Sequence, residues 1–244
     1  GIFCATCFKG DGGALTNVPG FSPDSQYNLY AGTYAGADSD TDTCYNVAIG
    51  FEAGRHNCAG DSNVLIGCQA GCDLKSGNCN VFIGSCAGFC ADTINQSVAI
   101  GHDAAKRNRG NCNVAMGHSA LEGSATAANN TGIRNVAIGR AAGMSVTSGA
   151  SNVFLGHLAG AYLTTGSKNF FGGYCAAGSN TAIVTGSYNV VLGECASRNL
   201  TSGNANVIMG RYAGGAITTG TDNILLGCYV AKNSISLCGN ILMG

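Results

Sequence analysis

The sequence predicts an all-β fold, a β-roll-like β-solenoid of about 13 coils, from three observations. A five-residue unit that ends in Gly recurs thirteen times between residues 28 and 244, most often at a spacing of 17 residues. The unit begins with Asn in twelve copies, and Asn and Gly are the residues that most readily adopt left-handed backbone conformations. The three residues between them are almost all apolar, which is typical of a short strand.

The spacing itself excludes the common helical repeats, which need about 33 to 47 residues per unit. We therefore interpret each unit as one short strand, a tight turn at the Gly and a return segment. Because the first and fifth positions recur so strictly, their residues are predicted to be structural. Examples in three successive coils are Asn46, Asn63, Asn80, Gly50, Gly67 and Gly84.

The strand residues divide between two faces, since side chains alternate along a strand. The second and fourth positions are predicted to form the interior ladder of the coil, as in Val47 and Ile49. The third position, as in Ala48 and Leu65, is then predicted to face outward, and it is apolar in all thirteen units. An apolar stripe of that length exceeds what soluble monomers usually expose, so we expect identical chains to cover it in a homotrimeric rod, intertwined or side by side.

The composition argues against several functions. Lys and Arg number 12 against 13 Asp and Glu, which leaves no basic excess for binding nucleic acid. No run approaches the roughly 18 consecutive apolar residues of a membrane helix, so membrane insertion is not expected. With so few acids and bases, and with no phosphate-binding or nucleophile motif, neither enzymatic activity nor a cofactor is expected.

The 14 cysteines are scattered over several positions of the coil. Cys175 and Cys195 share one position in successive coils, which makes them a candidate disulfide, and Cys72 with Cys90 is a weaker pair. The alternative is that the thiols are small buried side chains that fill a narrow coil. The Cys-x-x-Cys motif at residues 4–7 is interpreted as an interchain clamp rather than a metal or redox site.

The other candidate site residues are acids and histidines. Asp38, Asp40 and Asp42 match the first half of a calcium loop but lack its Gly and distal Glu, so they are a weak calcium candidate. The alternative is that these residues form a solvated loop that binds no ion. His102 and His118 directly follow a repeat Gly, at a position so variable that it indicates an outward surface. Longer spacings around residues 125–133 and 179–184 predict surface loops, which are the best sequence candidates for touching a receptor.

The Asn-Val-Ala-Ile-Gly unit followed by x-x-Ala-Gly and a Thr/Ser-Gly return, at residues 135–149 and 206–220, resembles the repeats of bacteriophage tail-fibre and related virion-fibre proteins. The stretch at residues 9–18 is similar to the lead-in of such fibres. A second resemblance is to the head repeats of trimeric autotransporter adhesins, which are usually shorter than 17 residues.

The fibre resemblance implies an N-terminal lead-in at residues 1–27 and a solenoid shaft at residues 28–244. It also implies three identical chains, an end-to-end filament as a further form, and a place in the virion. The function expected from it is that of a structural fibre segment that supports host attachment. The alternative is an extracellular or cell-surface adhesin head that binds a host or matrix ligand, such as a surface glycan or protein. Because the repeat stops at Gly244 without a capping sequence, we expect a segment of a longer fibre or an end that docks on another subunit.

Overall fold

The computed structural model of the chain describes residues 23–178 and 183–244. It is a parallel β-solenoid whose thirteen three-residue strands form one sheet in chain order. The strands are β1 (Leu29–Ala31), β2 (Val47–Ile49), β3 (Val64–Ile66), β4 (Val81–Ile83), β5 (Val98–Ile100), β6 (Val114–Met116), β7 (Val136–Ile138), β8 (Val153–Leu155), β9 (Phe170–Gly172), β10 (Val190–Leu192), β11 (Val207–Met209), β12 (Ile224–Leu226) and β13 (Ile241–Met243). The predicted all-β solenoid is confirmed.

Every strand pairs in register with the strand of the next coil. Val64 pairs with Val81 within a regular spacing, and Val114 pairs with Val136 across the longest spacing in the repeat. The extra residues of that long coil lie outside the sheet and include a short 3-10 helix at Ala127–Asn129. Insertions therefore leave the stacking unchanged, so equivalent positions of successive coils form columns along the rod.

The prediction of which strand face lines the interior was wrong. The third-position side chains of β2 to β12, such as Leu65 and Phe82, are fully buried, whereas Val64 and Ile66 beside them are only half-buried. The first and third positions lie on the same side of a strand, and the first-position Asn is buried too. The interior therefore lies on the Asn side, and the Val and Ile columns face outward. The third-position stripe, which was expected to be covered by identical chains, is instead covered by the return segments of its own chain.

The hydrophobic core is a single continuous row of side chains between the sheet and the return segments. The strands contribute Phe154 and Phe171, whose ring centroids are 6.0 Å apart. The return segments contribute small residues such as Ala70 together with larger ones such as Leu74. Burial of each large side chain stabilises the fold by about 1.5–3 kcal/mol, which is summed over many coils.

A ladder of buried asparagines runs alongside this core. Asn63 donates from Nδ2 to the Oδ1 of Asn46 at 3.1 Å and to the carbonyl oxygen of Gly77 at 2.7 Å. Its own Oδ1 accepts hydrogen bonds from the backbone N–H and the Nδ2 of Asn80, both at 3.0 Å. In a regular coil such as this one, the amide thereby joins a strand to its own return segment and to both neighbouring coils, with its hydrogen-bonding groups satisfied.

The repeat Gly is required by both conformation and space. Gly67 has a φ of +134°, a region that side chains rarely adopt. A Cβ added to it would lie 2.6 Å from the carbonyl oxygen of Gly84 in the next coil. Successive coils therefore stack glycine on glycine at this corner, and Gly50 and Gly84 repeat the same geometry.

No helix within residues 23–178 and 183–244 combines the length and the apolar character needed to cross a membrane.

Candidate binding surfaces

The second- and fourth-position side chains of β1 to β13 form a continuous surface, which we call the outer strand face. Every residue at these positions is apolar or Gly, and Ile138, which is 42% exposed, is typical of the fourth-position column. At strand and residue spacings of about 4.8 and 3.3 Å, the face is about 60 Å long and 10 Å wide, or roughly 600 Å². That area lies at the upper end of what monomers expose in one patch, about 300–600 Å².

The residue that directly precedes the repeat Asn lies at the border of this face, and in several coils it is an exposed aromatic residue. Tyr27 and Tyr45 stack with ring centroids 5.5 Å apart and planes 7° from parallel. Further along the same column, Lys168 Nζ lies 4.8 Å from the ring centroid of Tyr188. The backbone is left-handed at this position in each coil, and the side chains of Tyr27, Tyr45 and Tyr188 are exposed.

A groove of about 380 Å³ lies on the side of the last coils, and we call it the basic groove. Tyr212 and Tyr229 stack along it with ring centroids 5.3 Å apart and planes 6° from parallel. The Arg211 guanidinium carbon lies 5.0 Å from the Tyr212 centroid, and Lys232 Nζ lies 5.0 Å from the Tyr229 centroid. Arg198 also lines the groove. Aromatic faces together with guanidinium and ammonium groups suit an anionic ring-shaped ligand.

Each glutamate of the chain is paired with an arginine. Glu122 Oε1 lies 2.6 Å from Arg107 Nη1, and Glu194 Oε2 lies 3.2 Å from Arg211 Nε. Glu52 is paired with Arg55 three residues later in its own coil. Each of these carboxylates therefore offsets the charge of one arginine. The absence of enzymatic activity stays a prediction.

The three aspartates of the calcium candidate have separate roles. Asp38 Oδ2 lies 2.6 Å from His56 Nδ1. Asp40 Oδ1 accepts a hydrogen bond from the backbone N–H of Asp42 at 2.9 Å, which closes a local turn. In the described ranges, the one group of three or more converging metal-ligand atoms comes from other residues, namely His56, Cys72 and Asp73. The calcium interpretation therefore receives no support from this geometry.

The converging group was missed in the sequence because its members belong to different coils. Asp38, His56, Asp73 and Cys90 each stand six residues after a repeat Gly, so alignment of the coils on that Gly places them in one column. Cys72 precedes this column by one residue and is only 4% exposed. Burial, followed by the negative charge of Asp73, raises the pKa of the Cys72 thiol to about 12.

The proposed disulfide pair lies where the repeat places it. Cys175 and Cys195 occupy successive coils, are both buried and are free thiols in the structure. Burial raises the pKa of Cys175, although a hydrogen bond with Tyr174 acts in the opposite direction. Cys72 and Cys90 are free thiols as well, and Cys4 and Cys7 lie outside the described residues. The disulfide remains a prediction. The alternative of small buried thiols fits Cys72, Cys175 and Cys195, but six of the twelve described cysteines are exposed.

The histidines after the repeat Gly lie on the outside of the coil. The rings of His102 and His118 stack at 5.2 Å between centroids and 8° between planes. His157 lies close to Arg140, with Nε2 and Nη1 2.9 Å apart. These side chains form a surface column with no third ligand among the described residues.

The long loop at residues 125–133 is held to the rod by Asn130. Its Nδ2 donates to the carbonyl oxygens of Arg107 and Ser124, each at 3.0 Å, and its Oδ1 accepts from the Ser124 backbone N–H at 3.0 Å. The loop is thus an ordered protrusion. Residues 179–182 of the second predicted loop lie outside the described residues, and receptor contact by either loop stays a prediction.

Comparison of the chain with models of known families, with curated proteins and with solved structures gave no match.

Proposed function

We propose that the chain is a structural segment of a phage or virus fibre, a shaft that supports host attachment as a homotrimeric rod in the virion. The observation that carries this proposal is the outer strand face, which is apolar along all thirteen strands. A surface of this size in water favours burial against another surface. The function is mechanical, because a stiff rod holds a host-binding tip away from the particle.

The partner that fits this face best is a second copy of the same chain. Its Val and Ile columns have the same strand-to-strand spacing, so two copies match coil by coil along about 60 Å. An unrelated surface without that period would match only a few coils. Contacts between identical chains also close into a symmetric assembly, and the number three is what the resemblance to fibre repeats implies.

The mass of the assembly in solution tests this proposal. Sedimentation equilibrium of the full chain in reductant should give three times the chain mass of 24.4 kDa. The variant Ile138→Lys should shift the distribution toward monomers, because the interface would then bury an unpaired ammonium group. Ile138 already faces outward, so the single chain should remain folded.

The matched control for that variant is Ile235→Lys. Ile235 is 65% exposed but lies outside the strands, so the same change there should leave the mass unaltered. A wild-type chain that is monomeric at every concentration would overturn the trimer. Equal masses for Ile138→Lys and the wild type would show that the outer strand face is not the interface.

The basic groove favours a second candidate function, that of an extracellular adhesin head. Stacked tyrosines present flat faces to a sugar ring, and Arg198 and Lys232 supply positive charge for a carboxylate or sulfate. Arg211 lies against the tyrosine faces and offsets the charge of Glu194, which would otherwise repel such a ligand. A heparin oligosaccharide, tested by calorimetry, is a suitable probe. Binding should be weakened by salt and by Arg211→Ala, and unaffected by Arg140→Ala elsewhere on the rod. Equal binding by both variants, or none at low salt, would remove the support for this function.

A further inference from the structure

A polar column on the first, second and third coils brings together groups that the fibre function does not use. Its members are Asp38, His56 and Asp73, which occupy the same position of successive coils. Backbone hydrogen bonds hold the column in place: the N–H of His56 donates to the carbonyl of Cys72 at 3.0 Å, and the N–H of Asp38 donates to the carbonyl of Arg55 at 2.9 Å. The spacing of these side chains is therefore set by the solenoid.

Three different ligand atoms converge at this column. A nitrogen of His56, the Sγ of Cys72 and a carboxylate oxygen of Asp73 all lie within 4.8 Å of one another. His56 Nε2 and Asp73 Oδ1 are 3.9 Å apart, and on the opposite side of the ring Nδ1 lies 2.6 Å from Asp38 Oδ2. Asp38 thus fixes the imidazole so that Nε2 is directed toward the cysteine and the second aspartate.

The charges around the column leave it with an excess of carboxylate. Among the described residues, Asp38 and Asp73 have His56 as their one ion-pair partner. The neighbouring Asp92 has two cationic partners, Lys75 at 3.1 Å and Arg109 at 3.4 Å, so the three aspartates Asp38, Asp73 and Asp92 outnumber the two cations by one. Two carboxylates sharing one imidazole is an arrangement that a cation would stabilise.

We propose that His56 Nε2, Cys72 Sγ and Asp73 bind a single zinc ion, with Asp38 as the residue that positions the histidine. Zinc takes nitrogen, sulfur and oxygen ligands in tetrahedral geometry, with bonds of about 2.0 Å to nitrogen and 2.3 Å to sulfur. The carboxylate–histidine pair matches the outer-shell support that zinc-bound imidazoles almost always have. Calcium does not fit, because it requires six to eight oxygen ligands.

The surroundings allow a metal ion to enter and a fourth ligand to bind. A groove of about 340 Å³, lined by His56, Asp73, Lys75, Asp92 and Arg109, opens the site to solvent. Cys72 is buried, and its Sγ lies beside the two lining residues His56 and Asp73. On binding, the Cys72 thiol releases its proton to water and its sulfur forms the bond to zinc, while water completes the tetrahedron.

Cobalt(II) is the probe that tests the site, because it takes the place of zinc and reports a thiolate ligand through a charge-transfer absorption band. The full reduced chain, stripped of metal by a chelator, should show this band on titration with cobalt chloride, and one equivalent of zinc should abolish it. Cys72→Ser should remove the band. Asp73→Asn should weaken binding while the fold, followed by circular dichroism, is retained.

Three further variants complete the design. Cys90→Ser and Cys175→Ser are matched controls that should leave the titration unchanged, since neither thiol belongs to the converging group. Asp38→Asn should weaken cobalt affinity by about 10–100-fold without removing the thiolate band, as expected of a positioning residue. The site is overturned if Cys72→Ser keeps the full band or if the wild type shows none. An unchanged affinity in Asp38→Asn overturns the positioning role.

Discussion

Asn63 and Ile66 lie three residues apart in one coil, yet they belong to two different regions of the molecule. Asn63 is fully buried and forms side-chain hydrogen bonds to two other coils and to its own return segment. Ile66 lies on the outer strand face and is only half-buried. The inward columns carry the contacts that hold the coils together, whereas the outward columns are available for partners. A substitution should therefore affect stability on one side and association on the other.

The largest stability effect is expected at the stacked glycines. Gly67→Ala should destabilise the coil by about 4 kcal/mol or more, because it combines a positive φ with a Cβ forced against the carbonyl oxygen of Gly84. The midpoint of urea unfolding, compared at one protein concentration, measures this loss.

Gly239→Ala is the control that separates the cost of the positive φ from the cost of a steric clash by the added Cβ. Gly239 also has a positive φ, of 68°, but a Cβ there would have no atom within 4 Å. We expect a cost of about 1–2 kcal/mol from the backbone conformation alone. Equal losses for the two variants would contradict the close stacking of Gly67 on Gly84.

The next largest effect is expected in the asparagine ladder. Asn63→Ala removes the acceptor for the buried N–H of Asn80 and the donor to Gly77, each worth about 1–3 kcal/mol when left unsatisfied. Amide hydrogen exchange at Asn80 should accelerate along with the loss of stability. Asn78→Ala removes an exposed amide that bonds the Asp61 N–H and should have little effect. Similar exchange rates at Asn80 in both variants would argue against the ladder.

A smaller effect is expected where the ladder is interrupted. Ser97 stands in place of Asn, and its Oγ accepts a single hydrogen bond from the Asn113 N–H at 3.2 Å. Asn113 Nδ2 instead donates to Asn108 Oδ1 at 3.1 Å. Ser97→Ala should therefore cost only about 1 kcal/mol, measured by the same urea midpoint. A loss as large as that of Asn63→Ala would mean that Ser97 replaces the asparagine fully.

The smallest effect concerns thiol reactivity on the two sides of the coil. Hydrogen bonds from Thr221 lower the pKa of the exposed Cys238, whereas burial raises the pKa of Cys175. Only the thiolate is alkylated, so as the pH rises in reductant, Cys238 should react at a lower pH than Cys175. Peptide mass spectrometry of the alkylated chain measures the extent of reaction of both cysteines, and the reverse order would contradict these environments.

Without reductant, the same experiment tests the predicted disulfide, because a bonded Cys175 and Cys195 would both resist alkylation.

The repeat made most of the architecture predictable. Strict recurrence of Asn and Gly placed the strands, and alignment of coils placed Cys175 beside Cys195. The interior face was predicted wrongly because both strand faces are apolar, so hydrophobicity did not distinguish them. A signal was nevertheless present: positions one and three share a side of a strand, and a strictly repeated Asn is typical of a buried ladder.

The candidate metal group was less predictable for a geometric reason. His56 and Asp73 are 17 residues apart, and Cys72 lies one position out of their column, so no local motif connects the three. The basic groove likewise assembles Arg198, Arg211 and Lys232 from separate coils. Stacking of the coils brings such residues together, and their proximity can be recognised only once the coils are placed on one another in space.

The sequence by itself determined the period, the strands, the glycine corners and the absence of a helical fold, because these depend on local backbone preferences repeated thirteen times. The tertiary structure alone decided which side of each strand is buried and which side chains of neighbouring coils meet. Those outcomes depend on closure of the coil around a narrow core, where there is room for one inward column from each strand and where the buried amide of Asn63 must find its partners in the coils above and below.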